Sequence, residues 1–395
     1  MKILVISGLY PRVKEPNNGI FIYQRIVNLI RKGIRIDLLI ISHKDSLLIR
    51  CLKKLIKRKT YENVVPIKQS NGLNVMTECL SYGVFGHFFM ESMYIAWAKK
   101  IFNKYKIKYK YNLIHAHRAY PEGYIAFQIH KIIGIPYIIT AHGSEIHTLP
   151  LIKPKLKNNI IEALNSAKKV IFVSQQLKES AFEIGYSKNN FAVIPNGVDT
   201  KIFKPHAKSI VVEKLKIDGG EKKIVGFVGS LISVKRADQL PEIFLKIKSK
   251  TDVEFVIVGD GNLKDIIERK LEEYDIEAIF TGKILPNEVA SLMNLFDVMI
   301  LPSRNEGFPC VVLEAQACGC PVVGSNVGGI SEAIGDGGMV VEEGEQFEER
   351  FAEAVVRILK MPIDHEYLRK RALNFDWSVI VDKEIEVYKS VINNL

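Results

Sequence analysis

The sequence predicts an α/β protein built from two doubly wound, mostly parallel sheets, and three observations lead to that class. Short apolar runs alternate with amphipathic stretches along the whole chain, which is the pattern of strand–helix–strand units. At 395 residues the chain is too long for one ordinary domain and suits two. The alternation pauses once, at the turn-rich Pro195-Asn196-Gly197-Val198-Asp199, and a fresh strand–helix series begins at Lys223.

The first series reads as strand Ile3–Ser7, helix Gly19–Arg31, strand Ile36–Ser42, a basic region, strand Leu73–Cys79 and helix Glu91–Tyr105. It continues with strand Leu113–Ala116, helix Glu122–Ile133, strand Tyr137–Ala141, helix Pro154–Ser166 and strands Val170–Ser174 and Phe191–Ile194. The second series has strands Ile224–Val228, Glu254–Val258, Ala278–Thr281, Val298–Leu301, Pro321–Gly324 and Met339–Val341. The stretch from Trp377 to Leu395 reads as one amphipathic helix, with Ile380, Ile385, Val387 and Tyr388 as its apolar positions. The domains expected are 1–205, 206–375 and a terminal helix 376–395. Two such domains facing each other place ligands at the carboxyl ends of their strands.

Composition narrows the class. The apolar share of 47 % is that of a folded globular chain. No window approaches the ~20 apolar residues of a spanning helix. The run from Lys2 to Tyr10 enters a loop with no small-residue cleavage site, so it reads as a first strand and not as a signal peptide. Cys51, Cys79, Cys310, Cys318 and Cys320 have neither disulfide-framework nor zinc spacing, which suits reduced thiols in a cytoplasmic protein.

The net charge of +11 is unevenly spread: 1–200 holds 30 basic and 12 acidic residues, and 201–395 holds 25 and 32. Two basic clusters stand out, Lys53, Lys54, Lys57, Arg58 and Lys59, and then Lys99, Lys100, Lys104, Lys106, Lys108 and Lys110. The first lies in Leu47 to Ile56 and runs on to Lys59, and the apolar residues of Leu47 to Ile56 recur at helical spacing, so an anionic membrane surface is the partner expected there. An ordinary solvated helix accounts for the same pattern. No helix-turn-helix, zinc or stacking motif accompanies the charge, and nucleic acid is not expected.

The most informative stretch is Ser303-Arg304-Asn305-Glu306-Gly307-Phe308-Pro309-Cys310, running into Glu314. It follows a buried strand and opens a helix, with Pro309 suited to the first turn. Free N–H groups from Gly307 to Cys310 suit an anion, and Glu306 and Glu314 suit hydroxyls. Gly19, after the first strand, lets the backbone approach a phosphate or simply makes a turn. Ser230, Lys235 and Arg236 follow the second domain's first strand, where a cation suits a diphosphate leaving group. Val258-Gly259-Asp260-Gly261 suits either a tight turn or a loop against a flat ring, and Thr281-Gly282-Lys283-Ile284 resembles it. His115, His117 and Arg118 end one strand, and His142 the next. The pair His115 and His117 shares a face, yet no third ligand has suitable spacing, so no metal is expected. No GxSxG elbow, P-loop, HExxH or complete GxGxxG occurs.

Together these stretches resemble glycosyltransferase family 4, retaining transferases of the GT-B architecture. The resemblance rests on His115-Ala116-His117-Arg118-Ala119-Tyr120-Pro121-Glu122-Gly123, Thr140-Ala141-His142-Gly143-Ser144-Glu145-Ile146, Pro195 to Asp199, Val228-Gly229-Ser230 and Glu306-Gly307-Phe308-Pro309 through Glu314. Gly319 to Val323 and Gly328-Gly329-Ile330-Ser331-Glu332 complete it. Within the family the chain is most similar to transferases of bacterial cell-surface polysaccharides, the teichuronic-acid type included.

The resemblance implies a catalytic set of Glu306, His142 and Lys235. It implies donor contacts from Gly19, Ser230, Lys235, Arg236, Gly261, Ile284, Glu306, Gly307, Phe308, Pro309, Cys310 and Glu314. His117 and Arg118 fall on the acceptor side. Lys235 would meet the diphosphate, Glu306 the transferred sugar and Glu314 the ribose. No cofactor, metal or covalent nucleophile is implied, and the final helix would cross back to the first domain. The family often has Arg where Ser230 stands and Gly where Arg236 stands, which shifts the diphosphate charge onto Lys235 and Arg236. The sequence thus points to a peripheral membrane enzyme that moves a sugar from a nucleotide-diphosphate sugar, UDP favoured, to a lipid-linked or glycan acceptor. A non-catalytic nucleotide-sugar-binding subunit is the alternative. A glycogen-synthase-like or phosphorylase-like enzyme fits the chain length less well.

Overall fold

Strands covered by helices on both faces bury both rows of side chains, so they are written in sequence as unbroken apolar runs. Both sheets of this protein are of that kind. The computed structural model describes residues 1–13, 15–45, 66, 72–82, 90–107, 110–205 and 222–393. The basic stretch from Leu47 to Lys59, and Lys108 of the second basic cluster, lie outside these residues. The chain divides into two units, Met1–Ile194 with Ile380–Leu395, and Pro195–Val379.

The first unit holds β1 (Lys2–Ser7), β2 (Arg35–Asp45), β3 (Asn74–Tyr82), β4 (Leu113–His117), β5 (Tyr137–Ala141), β6 (Lys169–Phe172) and β7 (Phe191–Val193). They pair in parallel in the order β3-β2-β1-β4-β5-β6-β7. Its helices of eight residues or more are α1 (Ile20–Arg31), α2 (Met90–Tyr105), α3 (Tyr124–Ile133), α4 (Lys157–Ser166) and α5 (Gln175–Ile184). The predicted helix from Glu122 starts later, because Ala119–Gly123 forms a wider turn first. The sequence reading passed over α5, although Ser174 announces it: the Leu177 amide donates to the Ser174 hydroxyl at 3.2 Å. Of the second basic cluster, Lys100 and Lys104 both pair with the buried Glu78 carboxylate.

The second unit holds β8 (Lys223–Val228), β9 (Val253–Val258), β10 (Ala278–Gly282), β11 (Val298–Leu301), β12 (Val322–Ser325) and β13 (Gly338–Val341). These pair in parallel in the order β10-β9-β8-β11-β12-β13. Between and after them run α6 (Leu240–Lys248), α7 (Lys264–Glu273), α8 (Pro286–Met293), α9 (Cys310–Ala317), α10 (Phe347–Lys360) and α11 (His365–Leu373). Phe244 of α6 lies flat on Phe255 of β9, with centroids 4.0 Å apart, in a core of Val, Ile and Leu. Residues from Pro195 onward pack into this unit: Gly197 lies against the Trp377 ring, and the Thr200 hydroxyl donates to Asp376.

Each sheet reverses direction beside its first strand, between β1 and β4 and between β8 and β11. A crevice forms at the carboxyl ends of such neighbouring strands because their connections leave in opposite directions, and ligands of doubly wound folds sit there.

The last helix, α12 (Trp377–Asn393), starts in the second unit and from Ile380 belongs to the first. Ile380, Val387 and Tyr388 are buried as expected, whereas Ile385 is only half-buried and Glu384 takes a core position. Glu384 pairs with the equally buried Arg25 of α1 and accepts from the Tyr388 hydroxyl. His115 Nδ1 lies 2.8 Å from that hydroxyl, and its Nε2 lies 2.7 Å from Thr140 Oγ1. Burial alone raises a carboxyl pKa, but the Arg25 charge and the bonds from His115 and Tyr388 hold Glu384 down to about 2.

Candidate functional site

In the second unit the crevice beside β8 and β11 is lined by two loops. One is 302–309, between β11 and α9, and its backbone is pinned from several directions. The Gly329 amide donates to the Glu306 carbonyl at 3.1 Å. Gly328, at φ +54°, lies so close that a Cβ there would stand 1.7 Å from the same oxygen. Ser325 donates to the Ser303 carbonyl, and Asn196 Nδ2 to the Phe308 carbonyl at 3.1 Å. The Phe308 ring stacks on Phe375, with centroids 6.1 Å apart. Two stretches noticed in the sequence, Gly328-Gly329 and Pro195 to Asp199, thus act as scaffolding for the Glu306 loop.

The other loop follows β8 and carries Ser230, Lys235 and Arg236. The Arg304 amide donates to the Val234 carbonyl at 2.8 Å. The Arg304 guanidinium grips Asp238 through two bonds of 2.7 and 2.8 Å and donates to the Ser233 carbonyl at 2.5 Å. A planar guanidinium paired with a carboxylate in this two-point manner fixes orientation as well as distance. The two loops are therefore locked together, and Lys235 Nζ forms an ion pair with Glu306 Oε1 across 71 positions of sequence. Ser303 Oγ donates to the same carboxylate oxygen at 2.9 Å. Both charged side chains keep some surface in solvent, so a ligand can reach them.

Glu314 stands in the second turn of α9 and differs from Glu306. It has no hydrogen-bond or ionic partner among the described residues, and burial pushes its carboxyl up to about 7. An unpartnered, mostly desolvated carboxylate is a costly group for a fold to keep, unless a ligand supplies the missing donors. Pro309 sits one residue before the helix and not in its first turn, with ψ 110°, so Cys310 is the first helical residue. Gly307, Phe308 and Cys310 bring their backbone groups to this same helix start, and Ser230 is exposed just beyond the end of β8.

Other residues of the expected donor set are differently engaged. Arg236 is buried, pairs with Glu343 and lies over the Phe347 ring at 3.9 Å, so its charge already has partners. A Cβ on Gly261 would stand 2.3 Å from the Leu231 carbonyl oxygen, so close backbone packing accounts for this glycine. Ile284, just beyond β10, is half-buried.

In the first unit, the crevice end of β1, β4 and β5 gathers His117, Arg118, His142 and Gly19. The Gly8 amide donates to the buried Glu122 carboxylate at 2.7 Å, and Arg118 pairs with the same group from a φ of +88°. Glu145 turns back on its own strand end, accepting from the amides of His142 at 2.7 Å and Gly143 at 3.2 Å. His142 Nε2 lies 3.0 Å from His117 Nδ1, and the Phe21 ring of α1 lies 5.0 Å from the His142 ring. Burial first, then the nearby charges of Arg25 and Arg118 and the His115 ring, hold His142 well below the ordinary imidazole range. His117 is lowered in the same way, by burial and then by its two histidine neighbours. Gly19 caps α1 at φ 67°, with the Leu9–Tyr10 backbone directly against it. Among the described residues no group of three His, Cys, Asp or Glu is placed to hold a metal ion.

Sequence reasoning gave no individual role to Ser303 and Asn196, though both lie in stretches it singled out, and it named neither Asp238 nor the buried Arg25 and Glu384. The last two do leave a trace. Arg25 falls between Ile22, Ile26 and Leu29 on the buried face of α1, and a cation in that row requires an anion opposite it.

A parallel, doubly wound unit with an ion-paired lysine and carboxylate at its switch point is a unit of the α/β class whose ligands sit in that crevice. Comparison with known proteins makes that class specific. Residues 80–202 match Glycosyltransferase Family 4, and residues 222–361 match Glycosyl transferases group 1. The chain is 29% identical over 338 residues to TuaC of Bacillus subtilis (strain 168), assigned as a teichuronic acid biosynthesis glycosyltransferase, covering 85% of this chain and 83% of that one. It is 30% identical over 267 residues to the N-acetyl-alpha-D-glucosaminyl L-malate synthase of Bacillus anthracis, covering 66% and 68%. In structure it is similar to sucrose-phosphate synthase from Thermosynechococcus elongatus, with TM-score 0.75, 22% identity and full coverage of both chains. Anabaena HepE, solved in complex with UDP-glucose, superimposes with TM-score 0.70 at 18% identity over 99% of this chain and 100% of that one. The chain belongs to glycosyltransferase family 4 and has the GT-B fold, with relatives in polysaccharide biosynthesis.

Proposed function

We propose that this protein transfers a sugar from a nucleotide-diphosphate sugar to a lipid-linked or glycan acceptor in cell-surface polysaccharide synthesis, with retention of anomeric configuration. The observation that carries the donor half is one corner of the second unit, where Lys235 and Glu306 meet at the loop that leads into the helix of the unpartnered Glu314. Each group has a task in the reaction. The Lys235 ammonium and the amides at the start of α9 neutralise the departing diphosphate, the positive role that a metal plays elsewhere. Glu306 holds hydroxyls of the transferred sugar, and Glu314 takes the ribose diol as the donors it lacks in the empty protein. The second unit, expected from the sequence as 206–375 and beginning at Pro195 in the structure, is then the donor domain, and the first unit the acceptor domain.

His142, held neutral by burial, offers its backbone and ring to the sugar without adding a charge. No side chain here need act as a covalent nucleophile: in front-face transfer the leaving phosphate oxygen takes the proton of the incoming hydroxyl. UDP is favoured over GDP because HepE, similar in fold, binds UDP and UDP-glucose. The similarity to TuaC supports a surface-polysaccharide acceptor, and the basic first half supports work at the cytoplasmic face of an anionic membrane.

The test is a donor panel on purified protein with a chelator present, reading thermal stabilisation and slow hydrolysis of UDP- and GDP-sugars. One sugar nucleotide should stabilise and be hydrolysed. Glu306→Ala should retain binding but lose turnover. Binding with no turnover in wild type, whatever acceptor lipid extract is added, would favour a non-catalytic nucleotide-sugar-binding subunit.

A further inference from the structure

We infer that the tip formed by Leu151, Ile152, Lys153 and Lys155 is a docking point for an anionic lipid bilayer. Three observations converge on this segment. After the strand end at His142 and a short helical turn, the chain reaches a second short turn, Leu149–Ile152, and exposes five residues in succession, 151–155. Two of these are large aliphatics: Leu151 is 76% and Ile152 67% exposed, more than any other large hydrophobic residue of the described chain. Single exposed apolar residues are ordinary, but adjacent ones displayed to this degree at a loop tip are not.

The charge around the pair selects the partner. Lys153, Lys155 and Lys157 follow at once, and none forms an ion pair among the described residues. Between Glu145, which is buried and occupied by backbone amides, and Glu162 the sequence has no acidic residue. Aliphatic side chains beside unneutralised lysines match the two layers of an anionic membrane surface, acyl chains below and phosphate groups above. Leu156 and Pro150 are buried and root the tip in the unit. A docked tip would present the strand end bearing His142 to a lipid-linked acceptor in the same leaflet. The inference rests on the reading of this protein as a membrane-surface enzyme and names a surface for it outside the basic stretch 53–59.

The experiment is co-sedimentation of the full chain with vesicles of phosphatidylcholine alone and of phosphatidylcholine with 30 % phosphatidylglycerol (roughly the charge density of an anionic leaflet). Wild type is compared with Leu151→Ser/Ile152→Ser, Lys153→Glu/Lys155→Glu and Lys53→Glu/Lys54→Glu. All these test positions at the tip are exposed, so folding should be unaffected and is checked by thermal melting. Wild type should bind the anionic vesicles, and each tip variant should bind about tenfold or more weakly, given about a fivefold contribution per lysine at such a surface. Equal binding by wild type and both tip variants, with loss only in Lys53→Glu/Lys54→Glu, overturns the inference and leaves the membrane reading standing. No binding by wild type overturns both. Loss in the serine variant with no dependence on lipid charge also overturns it, since an apolar partner of another kind would then fit the tip.

Discussion

Replacing Glu314 by Gln should make the empty protein more stable at pH 8 and at the same time poorer at holding its donor. The carboxyl pKa is raised from 4.5 to about 7 by burial, with no ion pair or hydrogen bond to offset it. The folded state therefore holds a proton more tightly than the unfolded chain does. Wild-type stability falls as pH rises from about 4.5, and the full cost is present above pH 7. A shift of that size corresponds to about 3 kcal/mol as a ceiling. The side chain keeps part of its surface in water, so about 1–2 kcal/mol is the expected cost. In a unit of this size that is roughly 3–8 °C in Tm.

Gln keeps the shape and removes the charge. Thermal melts should thus show Glu314→Gln above wild type by that margin at pH 8 and level with it near pH 4.5. Donor-induced stabilisation should move the other way, because a ribose diol bonded to a neutral amide loses a charge-assisted pair, about 1.5–3 kcal/mol. A variant no more stable than wild type at pH 8, or one that keeps full donor affinity, would show that Glu314 is neither desolvated nor a ligand to the donor.

Other outcomes follow from the same geometry. Arg25→Met or Glu384→Leu alone should cost about 3–5 kcal/mol in urea unfolding because each leaves a buried charge unpaired, while the double variant should recover most of the loss. His117 and His142 stay neutral in the fold, whereas the unfolded chain takes protons near pH 6.5. Stability should therefore decline as pH falls below that value, and His117→Gln should lessen the decline in a pH series of melts. Asp238→Asn should loosen the Arg304 grip and weaken donor binding, measured by calorimetry, with folding stability lowered by no more than about 1 kcal/mol.

The fold was largely legible because parallel strands buried on both faces leave apolar runs, and those runs recur with helices between them. Val298–Leu301 and Tyr137–Ala141 were found to the residue for that reason. The Glu306 corner was legible too, since local chemistry marks it: a strand, a proline and a helix start. What brings it into working order was not. Lys235 meets Glu306 across 71 positions, and the Arg304–Asp238 grip that sets their loops together has no periodicity to betray it. Arg236 reads in the sequence as a diphosphate contact, and its partners there were not legible: Glu343 and the Phe347 ring, met from a left-handed turn at φ 52°. Glycines were ambiguous for the same reason: Gly261 and Gly328 are required by neighbouring backbone, which a sequence cannot distinguish from a ligand's approach.

The most direct test is calorimetric titration of UDP- and GDP-sugars into the protein in chelator-containing buffer, with Lys235→Ala beside wild type. The account predicts that one sugar nucleotide binds wild type and that Lys235→Ala weakens it by about tenfold or more, as loss of a charge-assisted contact should. Well-folded wild type that binds no nucleoside diphosphate sugar, or binds one equally well without Lys235, would contradict it.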